Sequence, residues 1–458
     1  NGTRFSRSYG FDGPLSFNTT DADNDGNVET GDRATLYAGL RRGGRSYYAL
    51  DVTNRNSPQF KFKISNTSTG FGELGQSWSR AISTSIRDTS GAARKVIIFS
   101  GGYDPVQDNK RLFTGAAPNP DSQGRAVYIV DAETGALLWW AGATSNGTPN
   151  LAIPEMRWSV PATPALLDLD SNGFVDRIYL ADAGGQVIRI NIDEENFRKS
   201  SGDRTNYSVF AQLSEGGGTP LNERRFFSTP DVALNRNDNG VQYLSVSLGS
   251  GHRERPLSKE TQDRFYILKD FEVGTTPPIT PATTLRESDL TDITTSPAGA
   301  ATARGIYLRL GSNTGEKALT QSTTFDGTIL FATFQPGVRN SSQVCQATQG
   351  LSRFYLLSLS DGTAVRNLSD PANPEDTDNL TNADRSMELN QAGLPPDPVL
   401  VFPSISSSRA SDGSQQICNG PECVSESPII FIGAQQVDPG FVRRARKTYW
   451  EQVDTSDQ

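Results

Sequence analysis

Histidine is all but missing from this chain, with His252 alone among 458 residues, and cysteine is scarce, with only Cys345, Cys418 and Cys423. A histidine-rich metal centre is excluded, and a Ser-His-Asp triad would have to be built on His252. That residue sits in Gly-His-Arg-Glu-Arg-Pro, a strand-end turn, where a structural role is expected. No cysteines are adjacent or spaced C-x-x-C, which removes the common zinc patterns. Cys418 and Cys423 can close a small disulfide loop, or Cys345 can pair with one of them; either way one thiol is left over. No run approaches the roughly 18 apolar residues of a membrane span. Positive charge is also short, with 43 Lys and Arg against 52 Asp and Glu for a net charge of −9. Without a basic face to neutralise phosphates, nucleic acid is not an expected partner. Neither an initiator methionine nor a signal-peptide pattern opens the sequence, so the chain is expected to be the C-terminal part of a longer precursor. An export signal can lie in the missing part.

What is plentiful is glycine, 43 residues, and proline, 26, in a chain only 35% hydrophobic. That mixture suits many short strands joined by long polar loops. The most specific stretch is Asp168-Leu-Asp-Ser-Asn-Gly-Phe-Val-Asp176. Side-chain oxygens fall at loop positions 1, 3, 5 and 9 (Asp168, Asp170, Asn172, Asp176), with the Phe174 carbonyl at position 7 and Gly173 at the turn. This is calcium-loop spacing, since calcium takes six to eight oxygens at flexible geometry. An ordinary surface turn uses the same residue types, but it does not need their strict alternation. An EF-hand would place a Glu at position 12, where this chain has Tyr179 in an apolar run. The loop should therefore lead into a strand. Without calcium its carboxylates repel one another, which makes the loop a candidate switch.

A second acidic loop covers residues 21–32. Asp21, Asp23 and Asp25 take positions 1, 3 and 5, Gly26 the turn, Asn27 the carbonyl, and Glu29 or Asp32 the closing carboxylate. Five carboxylates exceed what charge balance prefers, so an exposed acidic turn is the competing reading.

Six units repeat one layout: a β-rich run, a glycine turn, a second β-rich run, then an Asp-containing tip. They pair residues 35–40 with 46–54, 95–102 with 126–140, 177–180 with 187–191, 243–249 with 264–268, 328–334 with 353–362, and 429–433 with 448–452. A four-stranded sheet cannot bury both faces alone, whereas radial packing does so and leaves short edges. The pattern predicts an all-β fold, a single β-propeller over residues 1–458 with mainly antiparallel four-stranded blades, seven by the spacing. Two side-by-side β-sandwiches are the alternative. Residues 105–122, 275–303 and 367–397 read as surface excursions between blades. Trp78, Trp139, Trp140, Trp158 and Trp450 are expected to pack between blades rather than stack on sugars. The cluster Arg443-Arg-Ala-Arg-Lys447 reads as a solvated strand end, with contact to a partner protein as the alternative.

Val127-Tyr-Ile-Val-Asp-Ala-Glu-Thr-Gly-Ala-Leu-Leu-Trp-Trp140 resembles the repeat of quinoprotein-type propellers. A longer series is more specific: Gly43-Gly-Arg-Ser-Tyr-Tyr-Ala-Leu-Asp-Val-Thr-Asn54, Trp158-Ser-Val-Pro-Ala-Thr-Pro-Ala-Leu-Leu-Asp168, Gly184-Gly-Gln-Val-Ile-Arg189, Gly249-Ser-Gly-His-Arg-Glu-Arg-Pro-Leu257 and Asp263-Arg-Phe-Tyr266. In this order the series resembles the C-terminal propeller of the PilY/PilC family of type IV pilus tip adhesins and biogenesis factors. The resemblance runs from about residue 31 to 450 and is strongest between 158 and 268. It implies an extracellular protein at the pilus tip whose calcium loop, matched at Asp168, Asp170, Asn172, Phe174 and Asp176, helps control pilus extension and retraction. It also implies twitching motility, attachment to host-cell or abiotic surfaces, and minor pilins of the tip complex as partners. Two features depart from the family: there is no Arg-Gly-Asp tripeptide, and the von Willebrand A-like domain often found upstream is not in this sequence. The rival reading is a pyrroloquinoline quinone dehydrogenase, which would be expected to carry adjacent cysteines under the quinone. This chain has none, and no catalytic residues are assigned.

Overall fold

The computed structural model describes residues 9–22, 28, 31–215, 219–237, 239–277, 283–295, 304–311, 314–337, 350–370, 373, 376–391, 393–401, 423–424, 429–437 and 444–445. Within these the regular structure is strand, relieved by short 3-10 turns, and no helix is long and apolar enough to cross a membrane.

Interior strands are apolar on both faces, and this decides the architecture. Successive strand residues point to opposite sides. In Ala93–Ser100, Ile97 and Phe99 pack with Tyr47 and Ala49 of the preceding sheet, while Val96 and Ile98 pack with Ile178 and Leu180 of the following one. The alternation repeats around the molecule. Tyr179 and Ala181 meet Val246 and Leu248, Phe265 and Ile267 meet Ile329 and Phe331, and Leu330 and Ala332 meet Ile430 and Ile432. Each interface holds a continuous apolar core, and the sheets succeed one another as blades of a β-propeller.

The first blade holds Leu15–Thr20, Arg33–Gly39, Ser46–Asp51 and Gln59–Ser65. The second holds Ile82–Arg87, Ala93–Ser100, Ala126–Asp131 and Leu137–Gly142, with Leu151–Ala152 added in parallel. The third is Ala165–Leu167, Arg177–Ala181, Gln186–Asn191 and Asn206–Gln212. The fourth is Asp231–Arg236, Gln242–Gly249, Arg264–Asp270 and Gly305–Arg309. The fifth is Thr323–Phe325, Thr328–Gln335, Leu351–Ser358 and Ser386–Leu389. A three-stranded sheet of Val399–Val401, Ile429–Ile432 and Gln435–Val437 follows. Six sheets of this kind lie among the described residues; the seventh expected from the spacing is not among them.

Five of the six paired units form the expected antiparallel pairs. The sixth differs. Ile429–Ile432 turns at once through Gly433 and pairs with Gln435–Val437, a two-residue hairpin available locally, while residues 448–452 lie outside the described set. Trp78, Trp139, Trp140 and Trp158 are buried, Trp139 and Trp140 in the inter-blade cores on the two sides of the second blade as expected, and Trp450 lies outside the described residues. Trp158 lies over Gly184, where an added Cβ would come within 2.0 Å of its ring.

The three excursions are more structured than their composition implies. Leu285–Arg286 and Thr291–Asp292, from the 275–303 stretch, extend the third and fourth blades in parallel, and Leu285, Leu290 and Ile293 are buried. Ser386–Leu389, from the 367–397 stretch, is the outer strand of the fifth blade. The 105–122 segment buries Gln107, Leu112 and Asp121. Isolated apolar residues in polar loops gave no period to read, and each found its partner only in the assembled sheet.

The segments joining second and third strands meet across the propeller axis. Tyr103 of the second blade sits 3.4 Å from His252 Nε2 of the fourth and donates to Asp108 at 2.9 Å. Arg42 of the first blade pairs with Asp108 at 3.2 Å and with Glu254. His252 is buried and stacks on Phe227; burial, then Arg225 nearby, pushes its pKa down to about 2, so it serves as a neutral packing residue.

Candidate metal centre

Residues 168–176 close the hairpin between Ala165–Leu167 and Arg177–Ala181, whose last pair is Leu167 with Arg177. The loop runs into a strand, as its sequence predicted. Ser171 and Gly173 both have left-handed backbones, at φ 62° and 90°, and these turn the chain back on itself. A Cβ at Gly173 would meet nothing within 4 Å, so glycine serves the backbone conformation there rather than a close contact.

Asp176 is the fixed point. Its backbone N–H donates to the Leu167 carbonyl at 2.8 Å and its carbonyl accepts from Ile192 N–H at 2.7 Å, which pins it between neighbouring strands. Only 2% of its surface is exposed. One carboxylate oxygen, Oδ2, accepts from Leu169 N–H at 2.7 Å; the other, Oδ1, is buried with no hydrogen-bond partner. An unpaired buried carboxylate oxygen is costly unless something positive meets it. Burial, together with the nearby charges of Asp170, Glu194 and Asp168, pushes this carboxyl up to about 6.

Asp168 and Asp170 are exposed and are oriented by the loop's own amides. Asp168 accepts from Asn172 N–H at 3.0 Å and Gly173 N–H at 2.6 Å, and Asp170 accepts from Asn172 N–H at 3.2 Å. One oxygen from each of Asp168, Asp170 and Asp176 lies within 4.8 Å of the others. Oxygens around one calcium at 2.3–2.6 Å stand at most roughly 5 Å apart, so the set fits inside a single coordination shell. The donors are hard oxygens with no sulfur or nitrogen among them, which suits calcium over transition metals.

The other two predicted ligands are in the loop but are engaged differently. The Asn172 oxygen accepts from Phe174 N–H at 2.9 Å, and its amide nitrogen donates to Asp170 at 3.0 Å and to Glu194 at 2.7 Å. The Phe174 ring lies under the Arg87 guanidinium, 4.4 Å from it.

Glu194 and Arg87 are site residues that sequence reasoning missed. Arg87 ends the first strand of the second blade and hydrogen-bonds Glu194, which follows Gln186–Asn191 in the third. The pair clasps the loop from a neighbouring blade and lines, with Asp170, Asn172 and Asp176, a cavity of about 570 Å³. The acidic run Asp193-Glu194-Glu195 was the available signal; nothing in the sequence points to Arg87.

Of the second predicted loop, Asp23, Asp25, Asn27 and Glu29 lie outside the described residues. Its ends are tied, because Asp32, buried at the start of the next strand, accepts from Ala22 N–H at 2.9 Å, one residue beyond Asp21. Cys345 and Cys418, and the side chains of Cys423 and of the 443–447 cluster, also lie outside the described residues.

No family model matches the chain. A curated relative, a type IV pilus biogenesis factor PilY1 homolog of Xylella fastidiosa strain Temecula1, is 24% identical over 362 residues. The match covers 73% of this chain and 22% of the relative, so the chain spans about a fifth of that protein's length. Among solved structures, the Pseudomonas aeruginosa PilY1 C-terminal domain superposes with a TM-score of 0.57 at 15% identity, covering 94% of this chain and 84% of that one. A europium-containing methanol dehydrogenase aligns with a TM-score of only 0.28 at 10% identity, over 71% of this chain and 67% of its own, too low to support an argument. The sequence match and the shared fold agree with the resemblance carried by the ordered motifs between residues 158 and 268: the chain is similar to PilY1 proteins of the PilY/PilC family and shares the β-propeller fold of the PilY1 C-terminal domain.

Proposed function

We propose that this propeller binds calcium through Asp168, Asp170, Asn172, the Phe174 carbonyl and Asp176, and that it acts within a type IV pilus tip protein to regulate pilus extension and retraction. The buried, unpaired Asp176 Oδ1, converging with Asp168 and Asp170, carries the reading. Calcium would hold those carboxylates together, relieve their mutual repulsion and supply the positive partner that Oδ1 lacks. The residues of this chain then do the rest. Asp176 transmits the loop's position to two strands through its backbone, while Arg87, through Phe174 and Glu194, ties the loop to the second blade. Calcium thereby biases one arrangement of the blade edge over a looser one. The second loop, residues 21–32, is a further calcium site in this reading.

The protein is extracellular, engages minor pilins of the tip complex, and supports twitching motility and attachment to surfaces or host cells through a binding role, with no catalytic residue invoked. A strain carrying Asp176→Ala tests this. Its twitching zone should match that of wild type under calcium depletion and should no longer respond to added calcium. A normal calcium response in that strain would count against the proposal.

A further inference from the structure

We propose a second ligand site, independent of the calcium reading: a blind pocket on the propeller axis that takes a small organic polycarboxylate. The segments leading into the first strand of every described blade border one cavity of about 490 Å³. That volume falls in the range of small-molecule sites, roughly 300–1,000 Å³. Trp78 and Phe227 line it, and behind them lie Tyr103 and His252, with ring centroids 5.1 Å (Trp78 to Tyr103), 5.6 Å (Tyr103 to Phe227) and 6.0 Å (Phe227 to His252) apart. Tyr103 and His252 are themselves buried and belong to the segments that meet across the axis. The aromatic layer gives the cavity a floor, so it is a pocket and not a through-channel.

The charge in this pocket runs against the rest of the molecule. In a chain of net charge −9, its lining carries Arg41, Arg80 and Arg253 against a single carboxylate, Asp397. Asp397 is already an acceptor, from Gln321 N–H at 2.8 Å. The guanidinia are underused. Arg80 makes no side-chain hydrogen bond or ion pair among the described residues, although its backbone N–H is fixed to Thr163 Oγ1 at 2.9 Å. Arg41 has a buried Nε without a partner and lies over the Trp78 ring at 5.2 Å. Arg253 donates to the Leu319 carbonyl at 2.8 Å; burial and then the repulsion of Arg41 lower its pKa, against the attraction of Asp397 and Asp12.

Arg41 also holds a left-handed backbone at φ 47°, a conformation that is strained for arginine. Three convergent cations with spare donors select an oxyanion, because guanidinium matches carboxylate in bidentate geometry. The size of the cavity and its Trp78, Phe227 and Pro161 walls favour an organic body bearing several carboxylates over bare phosphate.

Calorimetry on the 458-residue chain in metal-free buffer tests this, with tricarballylate as the probe and inorganic phosphate as the comparison. One-to-one binding of tricarballylate is expected, weakened at least about tenfold in Arg80→Ala, the loss of one charge-assisted pair. Arg80→Lys should retain part of the affinity, and Asp176→Asn should bind like wild type, which separates this site from the calcium loop. Arg80 is exposed and its side chain makes no hydrogen bond or ion pair among the described residues, so melting temperature should not move. Absent tricarballylate binding, equal binding by Arg80→Ala, or binding of phosphate alone would each overturn the proposal.

Discussion

Asp176→Asn is the substitution on which the calcium reading makes its most quantitative commitment. Asparagine matches the shape of aspartate and keeps an oxygen for Leu169 N–H, so the loop's internal hydrogen bond survives while one charge disappears. Without calcium, the variant has lost a buried charge that faced Asp168, Asp170 and Glu194, and it should be at least as stable as wild type. With calcium at a hundred times the dissociation constant, the wild-type site should gain about 2.7 kcal/mol. Unfolding entropy of about 2.1 cal/mol/K per residue over 458 residues is roughly 1 kcal/mol per kelvin, so the melting temperature should rise by about 3 °C. A carboxylate–calcium contact is at least as strong as a charged hydrogen bond, worth up to about 3 kcal/mol or roughly a hundredfold in affinity. The variant at the same calcium concentration should therefore gain only about 0.4 kcal/mol, under about 0.5 °C. Any contribution from the 21–32 loop is common to both proteins and cancels in the difference. Scanning calorimetry with and without calcium reads all four states. An equal calcium-induced rise in both proteins would refute the assignment of Asp176 as a ligand.

Two further predictions concern the frame that holds the site. Asp182 is 1% exposed at a hairpin tip, and burial, followed by the charge of Asp121, raises its pKa well above the usual carboxylate value. The folded state then holds this proton more tightly than the unfolded state, so Asp182's contribution to stability is lost as pH rises above about 4, at up to about 1.4 kcal/mol per pH unit. Asp182→Asn keeps an acceptor for Gly184 and Gln186 N–H, and urea unfolding between about pH 4.5 and 7.5 should show a flatter dependence than wild type; an identical slope would contradict the argument. Phe331 is fully buried between Phe265, 3.7 Å away, and Tyr355, 4.8 Å away, both stacked nearly parallel to it. Phe331→Ala should cost about 3–5 kcal/mol in denaturant unfolding, and a cost below about 1 kcal/mol would mean that this blade interface is not packed as described.

How much of this was legible in the sequence depended on whether the signal was local. The loop 168–176 could be read because its ligands, its turn glycine and the strand that follows are contiguous, and the structure places Asp168, Asp170 and Asp176 together. The hairpin tip at Asp131 could be read for the same reason: its carboxylate accepts from Glu133 and Thr134 N–H within the turn, and Gly135 takes the left-handed position. Arg87 against Phe174 could not, since 87 residues separate them and only the packing of the second blade on the third brings them into contact. Nor could the short parallel strands Leu285–Arg286 and Thr291–Asp292, each two residues long and meaningful only beside an existing edge. The axial pocket is the extreme case, with Arg41, Arg80 and Arg253 drawn from segments of three different blades that lie far apart in the sequence.

The central claim is that calcium is bound by the acidic loops, and calcium titration by isothermal calorimetry on wild type, Asp176→Ala and Asp25→Ala tests it most directly. The account predicts two sites in wild type and one lost in each variant, with the 168–176 site gone from Asp176→Ala. No calcium binding in wild type, or both sites intact in Asp176→Ala, would contradict it.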